Sequence, residues 1–398
     1  MATSQPTGLP IDSTANLPVP MLDVSRQNDP LRAEIDAAIA EVCQSGAFVH
    51  GPACREFEAD IATYCGTRHA IGCASGSDAL LLALMVLGVG PGDEIVLPSF
   101  TFFATAGAVW RLGAKPVFAD ILPETFNIDP ADVARKMTSA TKAIIPVHLF
   151  GQCADMQGLA NAAGDIPVIE DAAQAIGAEQ GGNKAGSLAT MGCFSFYPTK
   201  NLGGFGDGGI ITTDDDAIAD EMRILRDHGQ QPRYSHSVVG LNSRLDTLQA
   251  AILKVKLPRL DKWAAGRQQH AEHYAAEFTR LGLDQFLGIP QVAPGCQSVW
   301  NQYTVRVADR RRDALQKHLS DRQIGSAIYY PIPLHRQICF AELGYESGSL
   351  PATEQAAEEV LSLPIYAELA PQEHQRVIQS LAEFYGIAYT ADESQRAA

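Results

Sequence analysis

A large α/β domain built on a mostly parallel sheet, followed by a smaller α+β domain, is the architecture this sequence predicts. Three observations predict it. From about residue 70 to residue 215, short apolar runs alternate with helical segments, which is how strands and crossover helices follow one another in a parallel sheet. Beyond Pro294 that rhythm gives way to a different order of elements. The 398 residues also exceed what one ordinary core holds, since domains typically run about 50–250 residues.

The elements follow in chain order. Residues 1–20 are polar and proline-rich and read as a flexible tail, without the basic start and apolar stretch of a signal peptide. Asn28-Asp29-Pro30 then offers a capping side chain before a proline suited to a first helical turn, and Leu31, Ile35, Ile39 and Val42 recur at helical spacing until Gly46. Six runs read as strands: EIVLP (94–98), PVFAD (116–120), KAIIPVHL (142–149), PVIED (167–171), CFSFY (193–197) and GGIITT (208–213). A helix follows Asp215, then a polar segment from His228, then a long helical pattern broken by Pro258, where a kink or a break is expected. QYTVRVA (302–308), a helix near 309–320, GSAIYYP (325–331) and two more helices complete the chain. The large domain is placed at residues 21–260 and the small one at 261–398.

Bulk properties exclude several classes. Apolar residues make up 46% of the chain and charged ones only 19%, the balance of a folded protein with a sizeable core. A formal net charge of -16 argues against a nucleic-acid binder, which needs a basic face to neutralise phosphates. The eight cysteines are scattered without a C-x-x-C pair, so neither a zinc site nor a disulfide framework is expected, and a reducing, cytoplasmic setting is. No apolar run is long enough to span a bilayer.

Chemistry concentrates in two places. Asp171 closes the strand PVIED, and Lys200 follows in SFYPTKNLGG with glycines 203, 204, 206, 208 and 209 around it. A lysine that can hold an aldehyde as a Schiff base, with a carboxylate to keep a pyridine nitrogen protonated, is what pyridoxal-phosphate (PLP) chemistry requires. The second place is Ser75-Gly76-Ser77-Asp78, small residues before a helical apolar run. Free backbone N–H groups at such a helix start suit a phosphate.

VIEDAAQAIGA (168–178), FSFYPTKNLGGFGDGG (194–209), PSFTFFATAGA (98–108) and GLNSRLDTLQAAIL (240–253) together resemble the DegT/StrS sugar aminotransferases, PLP enzymes of fold type I. The resemblance covers the chain from about residue 20. It implies that Lys200 bonds the cofactor and relays the proton of transamination, and that Asp171 contacts the pyridine nitrogen. It further implies that Phe102 stacks on the cofactor ring, that Gln174 lies near its phenolic oxygen, and that Ser195 joins Ser75, Gly76 and Ser77 at the phosphate. Asn242 matches an asparagine that completes this site from a neighbouring subunit, so a homodimer with active sites at the interface is implied. Arg244 beside it is a candidate for the same pocket.

For the substrate, the resemblance points to Arg233 and His236 in the HGQQPRYSH stretch, and to Tyr329, Tyr330 and His335 in YYPIPLH. GQCADM (151–156), HGQQPRY (228–234) and IYYPIPLH (328–335) are most similar to members that aminate a 3-keto sugar. The expected reaction passes an amino group from L-glutamate, through pyridoxamine phosphate, to a 3-keto hexose or 2-acetamido hexuronate on UDP or dTDP. A 4-keto substrate and a non-catalytic sugar-nucleotide-binding regulator on the same fold are the alternatives. The family's dehydratases carry histidine where this chain has Lys200. No G-x-G-x-x-G follows an early strand, so a dinucleotide-dependent dehydrogenase is excluded.

Overall fold

The computed structural model describes residues 18–389. Its centre is a seven-stranded sheet whose members are β1 (His69–Cys73), β2 (Glu94–Pro98), β3 (Lys115–Ala119), β4 (Thr141–Ile144), β5 (Ile169–Asp171), β6 (Met191–Ser195) and β7 (Gly209–Thr213). The spatial order is β3-β2-β4-β5-β6-β7-β1. Parallel bridges from Ile144 to Val168 and from Val147 to Asp171 join the two halves. β7 pairs antiparallel with both of its neighbours, so it alone runs against the other six. The central strands are buried on both faces, which is why they read as continuous apolar runs and not as alternating ones.

Helix Gly76–Val86 supplies much of the layer on one face. Ala79 through Leu84 are all buried, packed against β6, β7 and helices Ala104–Arg111 and Asp216–Leu225. A helix apolar on every side has to sit between layers, and this one does.

The second part of the chain starts at a break. Helix Thr247–Lys256 passes through a 3₁₀ turn, Leu257–Arg259, into the 22-residue helix Leu260–Leu281, so Pro258 sits where its missing N–H costs least. An antiparallel sheet of Leu287–Gly288, Tyr303–Val307 and Val360–Leu363 packs with helices Arg312–Asp321 and Pro371–Phe384 around Tyr274, Tyr303 and Val377.

Four local expectations are corrected. Val19 is only 1% exposed and bridges Ile324, so the last residues of the expected tail belong to the fold; residues 1–17 lie outside the described range. Asn28 does not cap through its side chain, because a short helix, Val24–Asn28, precedes it and is capped by Asp23. GSAIYYP forms only an isolated bridge, Ala327 to Ser362, and the strand beside it is Val360–Leu363. The first strand, HAIGC, had no place among the expected ones.

Arg267 ties the long helix to the rest of this second part. Buried on the long helix, it donates to the carbonyls of Trp300 at 3.0 Å, Asn301 at 3.4 Å and Ile365 at 2.9 Å. Arg267→Met should lower the unfolding free energy by about 3 kcal/mol, because buried carbonyls lose a charged donor, and a urea titration would read it as a lower midpoint.

Candidate active site

The candidate residues converge at the carboxyl ends of the parallel strands, where open α/β sheets bind ligands. Asp171 is the last residue of β5 and is buried. Its Oδ2 accepts a hydrogen bond from Thr105 Oγ1 at 2.8 Å, and Oδ1 accepts one from Ala173 N at 3.3 Å. Burial raises its pKa, while those two donors and the nearby Lys200 and His148 offset only part of the rise. The protein alone leaves this carboxylate short of positive charge.

Lys200 lies on the turn after β6, with its N–H bonded to the carbonyl of Tyr197. Burial pushes its amine down to about 8 from 10.5, and Asp171 opposes that shift. Its neighbours are fixed from below. Asn201 donates to Val299 O at 2.9 Å and accepts from the Asn301 side chain at 2.6 Å, and the buried amine of Lys256 donates to Gly203 O at 2.5 Å.

The helix start at Ser75 behaves as its sequence suggests. Ser75 caps the helix by accepting from Asp78 N at 3.1 Å, which leaves its own hydroxyl proton free to be donated elsewhere. Gly76 is required at its place: a Cβ there would stand 2.6 Å from Ser195 Cβ, so only glycine lets Ser195 approach. Ser75, Asn242 and Arg244 border one cavity of about 580 Å³, together with Gly206 and Asp207. Arg244 is held on that wall by Asp227 at 2.8 Å.

Gln174 has an unambiguous orientation. Its Oε1 accepts from Phe150 N at 2.7 Å, and its Nε2 donates to the Tyr330 hydroxyl at 3.1 Å, which leaves the amide a second N–H to give. Phe102 is 58% exposed, and its ring centroid lies 6.3 Å from that of Tyr330. Tyr329 is half-buried against Tyr330.

The other substrate candidates are placed differently. Arg233 and His236 sit on an exposed loop and do not line the cavity beside Ser75; Arg233 covers the ring of Tyr234, and His236 Nδ1 bonds the carbonyl of His228. His335 is corrected outright. It is 2% exposed, with Nδ1 at 2.7 Å from Ser99 Oγ and Nε2 at 3.1 Å from Glu354 Oε1, so both ring nitrogens are taken. It ties the Tyr330 loop to the end of β2 and has no atom left for a ligand.

Residues without a sequence signal also shape the site. Glu170 accepts from His148 Nε2 and from the backbone of Gly186, Leu188 and Ala189, all within 2.9 Å, and so fixes the strand end beside Asp171. Thr105 was visible only as one small polar residue in an apolar run.

Residues 29–382 match the model of the DegT/DnrJ/EryC1/StrS aminotransferase family. The chain belongs to that family. A Geobacillus stearothermophilus relative named a pleiotropic regulatory protein is 51% identical, covering 92% of this chain and 98% of its own. The dTDP-3-amino-3,4,6-trideoxy-alpha-D-glucose transaminase of Streptomyces venezuelae is 43% identical over 94% of this chain and 98% of its own. Among solved structures, S. venezuelae DesV, in complex with a ketimine intermediate, superposes with a TM-score of 0.89 at 43% identity, covering 94% of this chain and all of that one. The architecture is fold type I, and the chain is an aminotransferase.

In cofactor-free protein, acylation of Lys200 by a limiting reagent should rise with pH around a midpoint of about 8, because only the neutral amine reacts. Peptide mass spectrometry would read it. Asp171→Asn should move the midpoint lower still, since the carboxylate favours the charged amine.

Proposed function

We propose that this aminotransferase uses PLP to pass an amino group from L-glutamate to a nucleotide-linked 3-keto sugar on UDP or dTDP. The observation that carries the reading is the placement of Lys200, on the turn after β6, next to the buried Asp171 that closes the adjacent strand β5, with burial lowering the amine's pKa and raising the carboxylate's.

The residues fit PLP on their own chemistry. A carboxylate short of positive charge suits a protonated pyridine nitrogen. The exposed Phe102 ring suits a flat partner, the spare N–H of Gln174 suits a phenolic oxygen, and Ser75, Gly76, Ser77 and Ser195 suit a phosphate. When bound, PLP supplies an aldehyde that takes up the amino group and a ring that draws electrons from the reacting carbon. Lys200 Nζ is the amine that would hold that aldehyde, and as a free base it would move the proton between Cα of the donor and, later, the sugar carbon. Asp171 would keep the ring nitrogen charged, and Phe102 and Tyr330 would keep water from one side of the site.

The 3-keto preference rests on the resemblance of the 151–156, 228–234 and 328–335 stretches and on the name of the S. venezuelae transaminase. The regulatory name of the Geobacillus relative leaves the chemistry in place here, because Lys200, Asp171, Phe102 and Gln174 are all present.

Purified protein given PLP should show the absorbance of a lysine-bound cofactor that bleaches on L-glutamate, and Lys200→Ala should show neither. Proton NMR of the product from 3-keto and 4-keto nucleotide sugars would then locate the new amine. A protein that takes up no PLP would return the chain to a regulatory reading.

The same proposal includes a cytoplasmic homodimer. No helix among the described residues is long and apolar enough to cross a membrane. Phe48, Val49, Phe205, Tyr234 at 79% exposure and Val239 at 91% expose apolar surface, and Val49 also borders the cavity lined by Asn242. Asn242 would then act across the interface. Mixing Lys200→Ala and Asn242→Ala chains should restore about one quarter of wild-type activity, since half of random dimers are hybrids with one intact site each. Restoration of none would place Asn242 in its own chain's site.

A further inference from the structure

Thr105 is buried on the first turn of helix Ala104–Arg111, and three oxygens surround its hydroxyl. Asp171 Oδ2 lies at 2.8 Å, Phe102 O at 3.2 Å and Thr101 Oγ1 at 3.2 Å. A hydroxyl has one proton to give and two lone pairs with which to accept. The proton can satisfy only one of the three at a time, and the charged, closest acceptor takes it.

That arrangement has two complete settings. With Asp171 ionised, Thr105 donates to Oδ2 and accepts from Thr101. With Oδ2 protonated, the acid donates to Thr105, and the threonine proton turns to Phe102 O. Both settings give every group a partner, but only the first gives the threonine proton a charged acceptor, so the hydroxyl favours the ionised carboxylate. The other ionisable groups facing Asp171 are Lys200, His148, Tyr330 and Cys193, with Glu170 beside it in the chain. None of them is within hydrogen-bond reach of its carboxylate oxygens.

We propose that Thr105 is a positioning residue for the transamination, whose hydroxyl holds the Asp171 carboxylate ionised and in register with the Phe102 ring. The proposal rests on the reading that Asp171 faces the cofactor's ring nitrogen. On that reading the proton between acid and nitrogen can sit on either partner, and the threonine's donation favours the nitrogen. In the ionised setting the backbone N–H of Thr105, at 3.3 Å, holds the carbonyl of Phe102, the residue whose ring is proposed to cover the cofactor. One residue therefore touches both groups, its hydroxyl setting the charge of Asp171 and its N–H fixing the backbone of Phe102.

The test compares Thr105→Val, which keeps the shape and loses the hydroxyl, with Thr105→Ser and with Asp171→Asn. Each is loaded with PLP isotope-labelled at the ring nitrogen and read by nitrogen NMR, alongside kcat and KM for L-glutamate and the melting temperature. A hydrogen bond to a charged group should shift the proton distribution by about ten- to hundred-fold. The valine variant should accordingly move the nitrogen resonance toward its unprotonated position and lose roughly ten-fold or more in kcat with KM almost unchanged. The serine variant should restore both. If valine leaves the resonance and kcat unchanged while Asp171→Asn alters them, Thr105 has no such role. Should Asp171→Asn also leave the resonance unchanged, the placement of Asp171 at the nitrogen fails first. A valine variant that only melts earlier and loses KM, without rescue by serine, would make Thr105 a packing residue.

Discussion

One desolvated charge pair governs the rest of this structure. Asp171 is buried and Lys200 half-buried, so desolvation pushes each toward its neutral form, and each is partly restored by the other. Keeping such a pair in register requires a rigid frame. Parallel strands, buried on both faces, put the carboxylate at a strand end, and the turn after the next strand carries the amine. Around them, hydrogen bonds from Thr105, Ala173 and the Glu170 cluster replace the water that burial removed.

Much of this was legible in the sequence because the determining features are local. Strand ends of the PVIED kind, a lysine among glycines and a serine-capped helix start are spelled out by neighbouring residues, and the structure places each at the same end of the sheet. HAIGC escaped notice because five residues containing a histidine and a glycine give too weak an apolar signal. Val360–Leu363 escaped because it follows a helix without a turn signal. Both acquire strand structure from the partners waiting for them.

What sequence could not supply is which polar side chains are turned inward. His335 looked like a ligand to an anion, yet its proton goes to Glu354 and its lone pair to Ser99. Thr105 looked like nothing at all. A histidine or threonine has the same letters whether it faces solvent, a substrate or a carboxylate, and only the surrounding elements decide. The exposed loop holding Arg233 and His236 shows the converse, since residues that read as substrate contacts stand clear of the cavity in their own chain.

The amide pair of Asn201 and Asn301 has a consequence for anyone recombining this protein with its relatives. The turn at Leu257–Arg259 looks like the natural seam, because the chain breaks there between two helices. A crossover at that point would take Asn201 from one parent and residues 299–301 from the other, although they share a hydrogen-bonded contact directly behind Lys200. A chimera cut at the obvious place inherits a lysine whose footing belongs to another protein, unless residues 299–301 travel with Asn201.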